Sequence, residues 1–405
     1  MVLDSNLRKL IAAAALLLAG ACGSAETENV SCAGSEAFRL EVETTPITQR
    51  LILGGPSHDS TAPKPNAMRP IDKSFASAMG MNEDHGADTP ARRRSIAVIS
   101  GGGEFGAYGA GFWDSFLKDG GPGADMTFDV VTGVSTGALQ ATAVFLRTPD
   151  DLNELVASYD VENETALARK RKNFLGFVRP NSAYSLAPAR EAFGNYLTDA
   201  RIDAVAEAHA AGRRLLIGAV DVQDGRFYAF DLTALAASDR SLAEKKRCYR
   251  EAVFASAAIP LIFPPVLLDG RQYFDGGVRA AAFLSSAANA LDAMGGDHAP
   301  PVDVYVLFNS YLEISPRKDN ALSTFEALGR TQQITFNQID RTSLQTIAEF
   351  ADRFDIRWAR VEPGLCREAR DGAPEEKVFN TPFMGCLLEE GRRAGAAEGV
   401  FQDIK

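Results

Sequence analysis

The chain has few of the residues that most often build a metal centre. Its 405 residues include four histidines, which are scattered, and five cysteines, no two of them spaced C-x-x-C. A zinc-type ligand set is therefore not indicated. It also lacks an excess of positive charge: 42 Lys and Arg stand against 53 Asp and Glu, a formal charge of -11. Nucleic-acid binders usually carry a concentrated basic surface, so a nucleic-acid partner is not expected. The densest basic run, ARRRS from Ala91 to Ser95, reads as a solvated domain boundary. There is no internal repeat and no apolar run of the roughly 20 residues that a membrane-spanning helix needs. What is present is 46% hydrophobic and 23% charged residues, enough for a sizeable core in one large domain with additions or in two smaller ones.

The amino terminus reads as a secretory signal: Arg8 and Lys9 precede an apolar stretch from Leu10 to Ala19, followed by small residues. The letters LAGAC resemble a bacterial lipobox, which would make Cys22 the acylated first residue of the mature chain; Ala19 stands where Leu is usual. The same letters offer Ala19-Gly20-Ala21 to the ordinary signal peptidase. An exported, envelope-located protein, membrane-anchored in the periplasm or outer membrane, is the expectation. An exported compartment permits disulfides, and Cys32, Cys248, Cys366 and Cys386 allow three pairings, with Cys366–Cys386 the local choice.

Residues 23–94 read as an extension or tether, because Gly54 to Arg94 is rich in Pro, Ser, Asn, Asp and His without a helical or strand period. Beyond Ser95, apolar strand-like runs alternate with helical ones. SIAVIS, FDVVTGVS, RRLLIGAVDV and VDVYVLFNS read as strands, with helices after Gly106, after Thr136 and near Lys245 to Ala258. The alternation predicts an α/β fold with helices on both faces of its sheet. The core spans 95–310. Residues 311–405 extend the same domain, with a helix over Asn320–Phe350, the strand FDIRWARVEP and a closing helix in LLEEGRRAGAAEGVF.

Within that frame, Gly133-Val134-Ser135-Thr136-Gly137 runs from a buried-type strand into a helix, the G-x-S-x-G elbow. Such a turn pushes its serine outward, and the flanking glycines remove side chains that would block it. A serine nucleophile also needs donors for the oxyanion that forms on its substrate. Gly101, Gly102 and Gly103 lie between a strand and a helix, where bare amides can converge near a helix N-terminus. Losing one oxyanion donor costs about 2.7–4 kcal/mol of barrier, against about 1 kcal/mol for a glycine in ordered structure. The same stretch matches G-x-G-x-x-G, but it lacks an acidic ribose partner at the expected distance.

A candidate base is Asp275, in Asp275-Gly276-Gly277 after a short apolar run. With this element the chain resembles the patatin-like phospholipases over roughly Ser95 to Asn309. The likeness rests on SGGGEFGAYGAG, GVSTG, ASAAIPLIFPP and DGG in the family's order, with a weaker echo near Cys386 to Ala394. The resemblance implies a three-layer sandwich with a mostly parallel central sheet. It also implies hydrolysis of phospholipid or other acyl-ester lipids at a membrane surface by a Ser135–Asp275 dyad, without histidine, cofactor or metal. Gly102 and Gly103, beside Gly101, would form the oxyanion hole, and Gly133, Gly137, Gly276 and Gly277 would support the motifs. One position departs: Phe105 stands where the family usually has Arg or Lys, and Arg279 is a candidate to compensate.

Two other readings remain. A Ser-Asp-His esterase would draw its histidine from His209, read as helix surface, or His298, in a loop, with Asp221 or Asp231 orienting it. A non-catalytic lipid-binding lipoprotein would keep the fold without turnover. Phe174, Leu175, Phe177, Tyr184 and Leu186 mark either an apolar cover for an acyl chain or a connection packed on the core.

Overall fold

In the computed structural model, residues 29–42, 68–81, 92–170, 182–294, 299–314, 324–371 and 378–404 are described. The signal segment with Cys22, the stretch holding Phe174, Leu175 and Phe177, and His298 lie outside them. The elements run β1 (Arg39–Glu41), α1 (Pro70–Ala78), β2 (Arg94–Ile99), α2 (Gly106–Leu117), β3 (Val130–Val134), α3 (Thr136–Leu146) and α4 (Pro149–Tyr159). There follow β4 (Arg169–Lys170), β5 (Tyr184–Ser185), α5 (Ala187–Tyr196), α6 (Asp199–Ala210), β6 (Arg214–Asp221), β7 (Phe227–Asp231), α7 (Leu232–Ala237) and α8 (Leu242–Ser256). Then come β8 (Val266–Leu268), β9 (Arg271–Asp275), α9 (Ser285–Met294), β10 (Val302–Phe308) and α10 (Thr324–Ala348). The chain closes with β11 (Asp355–Arg360), α11 (Arg367–Asp371), α12 (Thr381–Gly395) and β12 (Gln402–Asp403).

The main sheet has ten strands, in the order β1-β7-β6-β3-β2-β10-β11-β12 with β8 and β9 joined to β6. From β6 to β11 the pairings are parallel, and every pairing at the margins is antiparallel. The parallel strands read as continuous apolar runs because both of their faces are covered. Alternation then sorts their side chains: Ala97, Ile99, Val131, Leu215, Ile217 and Leu307 face the core under α2, α3 and α8. Ile96, Val98, Leu216, Val304 and Val306 face the one under α1 and α9. The result is a three-layer α/β sandwich.

Part of the segment read as an extension or tether is instead built into the sheet. β1 adds to β7, Phe38 is 1% exposed, and α1 buries Ile71 and Phe75 completely against the second face. Apolar spacing at Ile71, Phe75 and Met79 was too brief to stand out from the polar residues around it. On the other face, α2 and α12 meet backbone to backbone. A Cβ on Gly111 would lie 2.1 Å from the Leu388 carbonyl oxygen, and one on Gly391 would lie 2.0 Å from that of Tyr108. Several glycines of SGGGEFGAYGAG therefore make a helix seam, and the echo near Cys386 to Ala394 is its other side.

The disulfides are Cys366–Cys386 and Cys32–Cys248. The first joins α12 to the turn before α11, and the second pins the segment before β1 to α8. They close sequence separations of 20 and 216 residues. Loop-closure entropy then favours the longer link, at about 5 kcal/mol against about 3 kcal/mol. In urea unfolding, Cys32→Ser/Cys248→Ser is expected to lose more stability than Cys366→Ser/Cys386→Ser, and the reverse order would contradict the entropic account.

Candidate active site

β3 ends at Val134 and α3 begins at Thr136, which leaves one residue to turn the chain. Ser135 takes φ 56° and ψ -122°, a conformation that costs a residue with a side chain about 1–3 kcal/mol. Its neighbours hold it there. The Ser135 N–H donates to Ser256 Oγ at 2.8 Å, and the Ser256 hydroxyl donates to the Gly218 carbonyl at 2.5 Å. A Cβ on Gly137 would come within 2.3 Å of the Ile99 carbonyl oxygen, so only glycine lets the turn approach β2. The Ser135 side chain caps no helix amide and lines a cavity.

The strand register explains why Asp275 is nearby although 140 residues separate the two in number. On β6, Val134 pairs with Gly218 and Asp275 with Ala219. β7 occupies the opposite edge of β6 over the same residues, so β3 and β9 end head to head along one edge. Asp275 is 2% exposed. Its Oδ1 accepts the Gly277 N–H at 2.7 Å, while the buried Oδ2 has no hydrogen-bond partner among the described residues. Burial pushes the carboxyl up from 3.8 to about 7, while the nearby Ser135 hydroxyl and the Gly277 amide act in the opposite direction. Hydroxyl and carboxyl are thus brought together.

The glycine loop is held from three sides. Ser100 is fixed by Asn309, whose backbone N–H donates to Ser100 Oγ and whose side-chain amide donates to its carbonyl, both at 2.9 Å. A Cβ on Gly102 would lie 1.7 Å from the Asn309 carbonyl oxygen, so no other residue fits there. The Asn380 N–H donates to Glu104 Oε2 at 2.9 Å. Gly101 departs from the expectation for an oxyanion donor: its N–H is taken by the Ala281 carbonyl at 3.0 Å. The Gly102 and Gly103 amides take no acceptor among the described residues, and Gly103 lines the same cavity as Ser135.

That cavity has a volume of about 310 Å³ and apolar walls, among them Leu139, Leu155, Leu186, Phe193, Phe254 and Phe263. Of the residues read as cover or packed connection, Leu186 lines the cavity, while Tyr184 packs with Ala168 and Phe263. Tyr159, held by Thr136 Oγ1 at 2.5 Å, closes one side.

The other candidates fall elsewhere. His209, the one histidine among the described residues, bonds Thr233 at 3.1 Å and accepts Arg214 through its carbonyl. Arg214 begins β6, and Ala219 lies roughly 16 Å further along it. Asp221 pairs with Arg39 and Arg271, and Asp231 caps α7. Arg279 does not compensate for Phe105: it is exposed and donates to the Gly225 carbonyl at 2.8 Å. Phe105 packs on Tyr311 and Phe383, and the guanidinium of Arg370 sits 5.7 Å from its ring centre. Sequence reading missed Ser256, Arg370 and Asp340. The Asp340 carboxyl, on α10, is pushed to about 7 by burial and by the Asp275 charge, with the nearby Ser310 hydroxyl acting in the opposite direction. Ser256 lies within ASAAIPLIFPP without being singled out there, and no motif marks Arg370 or Asp340. Among the described residues, no group of three or more His, Cys, Asp and Glu could hold a metal ion, and no helix is long and apolar enough to cross a membrane.

Residues 97–288 match the family model of patatin-like phospholipases. One similar solved structure is the crystal structure of VipD from Legionella pneumophila, 10% identical over 74% of this chain and 67% of that one, at a TM-score of 0.26. A likeness that remote carries no conclusion. No curated protein matches the chain.

The raised Asp275 carboxyl has a consequence for stability. Between about pH 4 and pH 7 the folded protein keeps a proton that the unfolded chain has released, so this contribution is full below pH 4 and lost as pH rises through 7. Asp275→Asn, neutral at every pH, is expected to be more stable than the parent at pH 8, by up to about 4 kcal/mol. The gain should shrink towards zero at pH 4. Unfolding curves at both pH values check it, and a gain independent of pH would contradict it.

Proposed function

We propose that the protein is a serine acyl-ester hydrolase of lipids, of the phospholipase A or lysophospholipase type. Ser135 is the nucleophile, Asp275 its base, and the Gly102 and Gly103 amides are the oxyanion donors. The observation that carries this reading is the unpartnered Oδ2 of a buried Asp275 beside the Ser135 hydroxyl, with Ser135 lining an apolar cavity. An ionised Asp275 takes the hydroxyl proton as Ser135 Oγ attacks the ester carbonyl carbon. The carbonyl oxygen becomes the oxyanion between the two glycine amides. Collapse breaks the ester C–O bond, and the leaving alkoxide takes the proton from Asp275. Water then repeats the sequence on the acyl-serine, with Asp275 again as base.

The cavity volume of about 310 Å³ lies at the low end for ligand sites, and its apolar wall suits one hydrocarbon chain. Burial serves the base as well, because it raises proton affinity where the proton must be taken. The reading extends to an exported protein held at a lipid surface by acylation of Cys22. Several acyl chains would keep it there, since one binds only marginally.

Fluorophosphonate labelling followed by peptide mapping should mark Ser135, and Ser135→Ala should be inert. Asp275→Asn should lose about 10²- to 10⁴-fold in ester turnover, while His209→Ala stays close to the parent. The parent labelling rate should climb with pH through about 7 as Asp275 ionises. Labelling elsewhere, or loss of turnover in His209→Ala, would sink the dyad.

A further inference from the structure

Ala281 joins three parts of the molecule. Its carbonyl accepts the Gly101 N–H at 3.0 Å, and its own N–H donates to Ser343 Oγ at 3.0 Å. It also follows Asp275 through a tight turn in which the Arg279 and Ala280 N–H groups both donate to the Gly276 carbonyl, at 3.0 and 2.9 Å. The base, the glycine loop and α10 are therefore linked through one residue. Ser343 is 6% exposed and lies on α10, past the end of the matched domain at residue 288.

We infer that Ser343 is a positioning residue for the active site, holding Ala281 so that Gly101 stays tied down and the next two amides remain aimed at one point. This rests on the acyl-hydrolase reading above for its consequence, but its geometry is independent of it. Gly101 spends its own N–H on Ala281, which fixes the direction in which the chain leaves towards Gly102 and Gly103. Without the Ser343 acceptor, the buried Ala281 N–H must move to find another partner. That movement carries the Gly101 bond with it and shifts the turn behind Asp275. A displacement of about 1 Å near reacting groups is enough to lose about 10²-fold in rate. The hydroxyl is not what holds α10 on the body of the protein, because Ile347, 1% exposed, packs one turn further on into the core under α1 and α9. One turn back on α10, Asp340 feels the Asp275 charge, so the helix faces the site through more than one residue.

The test compares the parent with Ser343→Ala, Ser343→Thr, which keeps a hydroxyl, and Ile347→Ala, which loosens the helix without touching Ala281. Two readouts are taken: kcat and KM on a water-soluble p-nitrophenyl ester, and amide exchange of the peptide covering Ser100 to Gly106. Ser343→Ala should lose about 10- to 100-fold in kcat with KM nearly unchanged, and exchange in that peptide should accelerate. Ser343→Thr should restore both, and Ile347→Ala should leave both near the parent. Unchanged exchange in Ser343→Ala, or equal effects from Ile347→Ala, would overturn the inference. A parent that shows no turnover and no Ser135 labelling would refute the hydrolase reading instead, and the exchange data would still decide the role of Ser343.

Discussion

The site depends on one register. β6 pairs with β3 through Gly218 and with β9 through Ala219, so consecutive residues of a single strand set the two chain ends that carry Ser135 and Asp275. The same strand steadies the turn between them, because the Gly218 carbonyl receives the Ser256 hydroxyl whose oxygen holds the Ser135 N–H. A slip of β9 along β6 by one residue would move Asp275 about 3.3 Å and turn its side chain to the other face. The strained backbone at Ser135 persists because strand register, α8 and the glycine contacts all demand it.

Burial is the second constraint, and it works in two directions. A carboxyl raised to about 7 binds a proton roughly a thousandfold more tightly than one at 3.8, which makes its ionised form a far better match for a hydroxyl proton. The ionised fraction falls as the pH drops below that value. For the base role proposed above, the carboxyl must stay dry yet not be crowded by other donors. Oδ1 is fixed by Gly277, and Oδ2 is left to the serine. On the dyad proposed above, the carboxylate's own affinity would take the place of a histidine relay.

Much of this was legible in the sequence, for physical reasons. Parallel strands covered on both faces leave continuous apolar runs, so SIAVIS, FDVVTGVS and VDVYVLFNS stood out and became β2, β3 and β10. The elbow was legible because only glycine tolerates those contacts beside an outward serine. Long-range pairing was not. β1 has three residues and β9 five, too short for periodicity to show. Their places on the sheet are set by partners nearly two hundred residues away for β1 and about fifty for β9. The acceptor of the Gly101 N–H was hidden for the same reason; Ser256 sat inside ASAAIPLIFPP with nothing to show that it holds the Ser135 N–H, and no local pattern marks the contacts of Ser343 and Asp340.

The glycines show how one motif can answer to two demands. In SGGGEFGAYGAG, the first glycines clear space around a backbone loop: Gly102 lies against Asn309, and Gly103 borders the cavity. Later glycines act on the helix: Gly106 and Gly109 admit Thr136, Gln140 and Asn309, and Gly111 meets the carbonyl of Leu388. A larger side chain in the loop would disturb donors, and one on the helix would push α12 away. Because Asn380 at the head of α12 also holds Glu104, displacing that helix would reach the loop as well. Packing on the far side of α2 and the aim of the Gly102 and Gly103 amides are therefore mechanically joined, and a motif that reads as catalytic is in large part a joint between helices.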